Sequence, residues 1–274
     1  SPKYAAGTYS LPRIVGHRDV GSTSCPGDRI YDRMAEIRSR VIARYPTYQR
    51  GRGGQGVVGD FTGDGRDDHV WYQPGSETER FRVGRAAGGF DLLPLQVSGT
   101  YRLVSGDFDD DGHDDVYLHG PGSYPDHVLY GGADGFTVVG RPISGTYRPF
   151  GGDFDGDGHG DVFWYGPGAG TDAVSYGTGR GTFVTKAVEV DTTFTPVVGD
   201  FDDDGKDDVF WYRAGSTEDE IWFGTATRGT FDEPDTANIS GTYLPMAGDR
   251  DGDGRDDLLL YGSGTKPDNL LLAT

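Results

Sequence analysis

The sequence predicts an all-β fold, a β-propeller of about five four-stranded blades, preceded by a short N-terminal segment with one α-helix. Three observations predict it. A nine-residue acidic stretch occurs five times, at residues 60–68, 107–115, 153–161, 200–208 and 249–257, with first aspartates 47, 46, 47 and 49 residues apart. A fixed period of that size marks an array of one supersecondary unit. A short apolar run follows each copy (Val70-Trp71-Tyr72, Val116-Tyr117-Leu118, Val162-Phe163-Trp164-Tyr165, Val209-Phe210-Trp211-Tyr212, Leu258-Leu259-Leu260-Tyr261). Such runs between turn residues suit strands buried on both faces. Turn residues are plentiful, 47 Gly and 15 Pro in 274, and four strands in roughly 47 residues is the period of a propeller blade.

The elements follow in order. Residues 10–15 read as a strand. Residues 28–45 read as a helix, with Asp28 as its N-cap, Ile30, Met34, Ile37, Val41 and Ile42 on one apolar face, and Pro46 ending it. Residues 46–55, with Gly51-Arg52-Gly53-Gly54, read as a linker. From residue 56 to 274 each repeat has one plan. A strand enters the acidic loop (56–61, 101–108, 147–154, 194–201, 243–249) and the apolar run leaves it. A third strand follows, as at 127–130 and 220–223, and a fourth near 136–139 and 183–190. After 269–272 the fifth repeat is expected to lack its outer strand, so that either an N-terminal segment supplies it and closes the ring or the edge stays open. Tyr101, Tyr147 and Tyr243 close a recurring Ser-Gly-Thr-Tyr phrase; of two readings, lining sugar-binding pockets between blades or packing blade against blade, the second is expected, since buried aromatics dominate core energetics.

The acidic stretch reads D-x-D-x-D-G-x-x-D, with Thr62 the one departure at position three. Carboxylates this close repel unless a cation sits between them. A hard cation such as calcium takes six to eight oxygens from carboxylates, backbone carbonyls and water. Candidate ligands are therefore positions one, three, five and nine, with the carbonyl of position seven. In the first loop these are Asp60, Thr62, Asp64, Arg66 and Asp68; in the second, Asp107, Asp109, Asp111, His113 and Asp115. The third loop offers Asp153, Asp155, Asp157, His159 and Asp161; the fourth, Asp200, Asp202, Asp204, Lys206 and Asp208; the fifth, Asp249, Asp251, Asp253, Arg255 and Asp257. Glycine at position six allows the sharp turn. Up to five calcium ions follow, with the first site the weakest because Thr62 removes a charge. An EF-hand is excluded: position twelve is Trp71, Leu118, Trp164, Trp211 or Leu260 where that motif needs a bidentate Glu.

These copies resemble FG-GAP or VCBS repeats, the calcium-loop repeats of integrin-type propellers, over about residues 54–273. The resemblance implies one blade per repeat, with the calcium loop joining its first two strands. A second resemblance lies upstream. Residues 16–28, Gly-His-Arg-Asp-Val-Gly-Ser-Thr-Ser-Cys-Pro-Gly-Asp, are similar to the end of a peptidoglycan-recognition or type-2 N-acetylmuramoyl-L-alanine amidase domain. That resemblance implies that His17 and Cys25 match two of three zinc ligands and that Thr23 falls where the family helps polarise the substrate carbonyl. The family's first zinc-binding His and its catalytic Tyr are not in this sequence. Residues 1–45 are thus expected to be an inactive remnant, and zinc to belong to the complete domain.

Charge supports this division. The net charge is −19. Residues 1–52 carry ten basic and four acidic side chains, net +6, and residues 53–274 fifteen and forty, net −25. The five loops hold 25 of the 44 acids, so much of the acidity is metal-site chemistry. No basic face suits nucleic acid, and no run reaches the roughly 18 apolar residues of a membrane span. One cysteine excludes an internal disulfide, and weak multi-site calcium loops favour the millimolar calcium outside cells. The expectation is a secreted, calcium-binding propeller that takes a glycan or cell-wall polymer, from an amidase-type protein. The alternatives are a zinc-dependent amidase and an integrin-like propeller with a protein partner.

Overall fold

The computed structural model describes residues 55–73, 79–122, 124–168, 170–232, 235–262 and 266–273. The predicted strand at 10–15, the helix at 28–45 and most of the linker lie outside them. Five antiparallel sheets follow one another along the chain. The first holds β1 (Gln55–Gly59), β2 (Asp68–Tyr72), β3 (Arg80–Gly84) and β4 (Phe90–Leu93). The second holds β5 (Arg102–Gly106), β6 (Asp115–His119), β7 (His127–Tyr130) and β8 (Thr137–Gly140). The third holds β9 (Arg148–Gly152), β10 (Asp161–Tyr165), β11 (Asp172–Gly177) and β12 (Phe183–Val188). The fourth holds β13 (Thr195–Gly199), β14 (Asp208–Tyr212), β15 (Glu220–Trp222) and β16 (Asp235–Thr236). The fifth holds β17 (Leu244–Gly248), β18 (Asp257–Tyr261) and β19 (Asn269–Leu271), without a fourth strand among the described residues.

Each sheet is a meander in chain order, and the first strands β1, β5, β9, β13 and β17 lie side by side in turn. This is a five-bladed β-propeller, as the period predicts. Register fixes the loops. The glycine before position one pairs with the aspartate at position nine in every blade: Gly59 with Asp68, Gly106 with Asp115, Gly152 with Asp161, Gly199 with Asp208, Gly248 with Asp257. The first strands of the first four blades end two residues earlier than the sequence suggests. At position two the backbone N–H of Phe108, Phe154 and Phe201 leaves the ladder for the position-nine carboxylate, at 3.0, 2.9 and 2.8 Å.

The continuous apolar runs are explained by burial on both faces. In β10, Val162 and Trp164 pack into the core shared with the second blade, while Phe163 and Tyr165 pack into the core shared with the fourth. In β14, Val209 and Trp211 face the third blade and Phe210 and Tyr212 the fifth. Side chains alternate across a strand, so a strand between two blades is apolar at every position. Aromatic rings fill these joints edge to face, as Tyr117 on Trp164 at 4.9 Å and Phe163 on Trp211 at 5.4 Å between centroids. Tyr101, Tyr147 and Tyr243 belong to the same cores, which answers the expectation made for them.

A second device ties the blades. The Tyr72 hydroxyl donates to the Gly99 carbonyl at 2.8 Å and accepts the Tyr101 N–H at 3.0 Å. Tyr165 does the same between Thr192 and Phe194, and Tyr212 between Gly241 and Tyr243. Each hydroxyl thereby pins the connection to the next blade. In the second blade His119 takes this place and accepts the Tyr147 N–H at 3.3 Å.

Candidate metal centre

The acidic loops lie at one end of the blades, between first and second strands. Position six has φ of 77° at Gly65, 82° at Gly112, 90° at Gly158, 81° at Gly205 and 103° at Gly254. That left-handed backbone favours glycine, and it turns the loop back over its own first aspartate. The carboxylate of position one then accepts loop N–H groups: Asp107 takes those of Asp111 and Gly112 at 3.2 and 2.9 Å, and Asp153 and Asp200 repeat the pattern.

Position nine is the buried anchor. Asp115, Asp161 and Asp208 are fully buried. One oxygen of Asp115 accepts the Phe108 N–H and the other the Gly131 N–H at 2.8 Å. Gly177 and Gly224 serve Asp161 and Asp208 in the same way. A Cβ at Gly131 would stand 2.4 Å from the Asp114 carbonyl, so only glycine lets the third strand come this close to the preceding loop.

The carboxylates of positions one, three and nine converge in four loops. Asp107, Asp109 and Asp115 form one cluster; Asp153, Asp155 and Asp161 a second; Asp200, Asp202 and Asp208 a third; Asp249, Asp251 and Asp257 a fourth. In each, the three ligand oxygens lie within 4.8 Å of one another. In the first loop the Thr62 hydroxyl instead donates to Asp68 at 3.0 Å, and no three-carboxylate cluster forms there among the described residues. The position-five carboxylates stand outside these groups. Each of Asp64, Asp111, Asp157, Asp204 and Asp253 accepts the position-seven N–H, at 3.0–3.1 Å. Asp64 also pairs with Arg66 and Asp204 with Lys206. His17, Thr23 and Cys25 lie outside the described residues.

Crowding of acids has an electrostatic consequence. Burial, and then the neighbouring carboxylates, push Asp115 and Asp208 up to about 7 and Asp161 up to about 8, against the lowering effect of their backbone donors. Burial first and Asp111 second raise Asp109, and Asp153 and Asp202 rise for similar reasons. Within these clusters one oxygen each of Asp109, Asp155 and Asp251 is buried without a hydrogen-bond partner. Buried polar atoms are nearly always satisfied. An all-oxygen donor set with orphaned carboxylate oxygens fits a hard divalent cation such as calcium.

Sequence reasoning passed over position eight. The Asp114 N–H donates to the Asp60 carbonyl at 3.0 Å, and its carboxylate accepts the Asp60 N–H at 2.8 Å. Asp207 clasps Asp153 in the same way, at 2.8 and 2.7 Å. Position eight of one blade thus holds position one of the blade before. The trace was visible, since this position is Asp67, Asp114, Asp207 and Asp256 with Gly160 as the one exception. A second set, Asp126, Asp172 and Asp219, is buried and caps the turn before the third strand, as Asp172 does for Gly166 at 2.7 Å.

Away from the loops, a cleft of about 380 Å³ lies between the third and fourth blades, lined by Val188, Glu189, Glu220, Trp222, Phe231 and Asp232 among others. Glu220 fixes the Trp222 ring by accepting its indole N–H at 3.0 Å.

Residues 153–211 match the FG-GAP-like repeat family. No curated protein is similar in sequence. Among solved structures, an Agrocybe aegerita lectin described by its specific recognition of non-reducing terminal N-acetylglucosamine superposes with a TM-score of 0.66 at 18% identity, over 81% of this chain and 64% of that one. The Photorhabdus luminescens Tc holotoxin pore superposes with a TM-score of 0.55 at 20% identity, over 79% of this chain and 11% of that one. The chain therefore spans about 64% of the lectin's length. At these identities the likeness is one of fold.

Proposed function

We propose that this chain is a calcium-stabilised β-propeller that binds carbohydrate outside the cell. The observation that carries the metal reading is the set of buried, unpartnered oxygens on Asp109, Asp155 and Asp251, each within a cluster of three carboxylates. When bound, calcium supplies positive charge and oxygen coordination where like charges otherwise crowd. The protein's own part is to hold positions one and nine by backbone N–H groups, so that the cluster is formed before the ion arrives.

Carbohydrate is the ligand class that the lectin-like fold favours, and the Trp222 cleft has the composition for it. An aromatic face packs on the apolar face of a sugar ring while Glu189, Glu220 and Asp232 accept from hydroxyls. Residues 1–45, with His17, Thr23 and Cys25, extend the reading to a parent protein of the peptidoglycan-amidase type whose propeller carries it to a cell wall. A glycan array that includes N-acetylglucosamine and peptidoglycan fragments, run with calcium and with chelator, tests this reading. Trp222 also packs on Trp211 and Phe231, so binding to a defined glycan class that is lost in a Trp222→Ala variant whose melting curve still shows a folded chain supports it. An array with no bound glycan in either condition refutes the carbohydrate half and leaves a protein ligand.

A further inference from the structure

The four carboxylate clusters are not equivalent, and at two of them the difference comes from the next blade. The turn between β11 and β12 carries Arg180 back onto the second loop, where Nη1 lies 3.7 Å from Asp109 Oδ2 and 3.6 Å from Asp111 Oδ2. The corresponding turn of the fourth blade carries Arg228 onto the third loop. There Nε donates to Asp155 Oδ2 and Nη2 to Asp157 Oδ2, both at 2.5 Å.

Each arginine belongs to a larger unit. Arg180 lies over the Tyr130 ring at 4.9 Å, and the Tyr130 hydroxyl accepts the Gly181 N–H at 2.7 Å. Arg228 lies 5.7 Å from the Tyr176 ring, whose hydroxyl accepts the Gly229 N–H at 2.9 Å. So a tyrosine ending the third strand of one blade seats an Arg-Gly pair from the next. The first joint lacks both parts. Its third strand carries Val83 at that place, and the turn that reaches the first loop through Gly132 carries Asp134. The fourth blade has Phe223, without a hydroxyl. At the three joints where both halves are described, they occur together or not at all, which is what a built device shows and a chance ion pair does not.

The ligand carboxylates are divided between two duties. The Asp109 and Asp155 side chains are 2% and 3% exposed. Their Oδ2 atoms face the arginine, and their Oδ1 atoms have no partner. A guanidinium at this place neutralises part of the cluster from outside without filling it. It also repels a divalent ion that enters.

We propose that Arg180 and Arg228 are resident cations of the second and third loops, which hold one blade on the next when calcium is scarce and make these two loops the weaker calcium sites of the four clusters. The proposal rests on the calcium reading above and adds an order of filling. The fifth loop, whose acids pair with no cation among the described residues, loads first; the fourth follows, since its Lys206 pairs with Asp204 outside the cluster of three; the second and third load as calcium rises, each against its arginine.

The test is a calcium titration of the full chain by calorimetry after chelator treatment, with melting curves of the calcium-free protein. Arg228→Ala is expected to tighten one weak site about fivefold, the scale of one partly exposed charge interaction, and to lower the calcium-free melting temperature. Adding Asp155→Asn to Arg228→Ala should abolish the gain, which assigns it to the third loop. Arg180→Ala repeats the test at the second loop and keeps it open if Arg228→Ala does not fold. Unchanged or weaker calcium binding in both variants overturns the proposal while leaving the calcium reading intact. No calcium bound by the wild-type chain sinks the calcium reading and this proposal together.

Discussion

Asp207→Ala isolates the clasp between the third and fourth blades. The Asp207 carboxylate accepts the Asp153 N–H at 2.7 Å while its own N–H reaches the Asp153 carbonyl at 2.8 Å. The substitution removes the first bond and keeps the second. A hydrogen bond to a charged group contributes about 1.5–3 kcal/mol. Desolvation raises the Asp207 pKa, and Asp153, Asp200 and Asp256 raise it further, so the ionised carboxylate is itself held at some cost and the lower half of that range applies. About 2 kcal/mol lost corresponds to a fall in melting temperature of about 4–8 °C for a domain of this size. Thermal melts followed by circular dichroism, with and without calcium, read it directly. Asp114→Ala should behave alike, because Asp114 clasps Asp60 at 2.8 Å. The joint at Gly160 gives the internal control, since it natively lacks the carboxylate. A shift below about 1 °C for both variants would show that position eight is solvated in effect and that the clasp is no part of the fold's stability.

Other outcomes follow from the same geometry. Asp115 and Asp208 are raised to about 7 and Asp161 to about 8, so the calcium-free fold binds protons more tightly than the unfolded chain. The contribution of these three carboxyls to stability should be full below about pH 4 and be lost as pH rises through 4 to 8; calcium should remove that loss, and parallel pH-melt series with and without calcium check the sign. Tyr165→Phe removes a donor to the Thr192 carbonyl and the acceptor of the Phe194 N–H, and should cost about 1–3 kcal/mol in denaturant unfolding. Trp164→Ala empties the joint between the second and third blades, and about 3–5 kcal/mol should be lost in the same assay.

Much of this was legible in the chain because the fold repeats. Five acidic loops at one period gave the blade number, and apolar runs such as 162–165 gave strands buried on both faces. The strand ends were not legible. Periodicity cannot show that the Phe108 N–H abandons the ladder for Asp115, because that bond depends on how the loop closes. The helix read at 28–45 and the zinc residues His17 and Cys25 lie outside the described residues. Within the loops, composition pointed to positions one, three, five and nine alike. The structure converges one, three and nine, and turns position five onto the position-seven N–H. Position eight escaped notice because its partner, position one of the blade before, stands 54 residues away at both clasps. The arginines escaped for the same reason, since Arg228 meets Asp155 across 73 residues. Local spacing shows what a loop can hold; contacts between blades decide how each loop differs.

The most direct test of the account is the melting temperature of the whole chain, first after exhaustive chelation and then with millimolar calcium restored, together with the calcium content of the restored protein. Binding to the folded loops alone predicts several calcium ions per chain and a rise of roughly 5–10 °C for each site saturated a hundredfold above its dissociation constant. A melting curve that does not move, with no calcium retained, would contradict the account and leave the acidic loops as hydrogen-bonded turns.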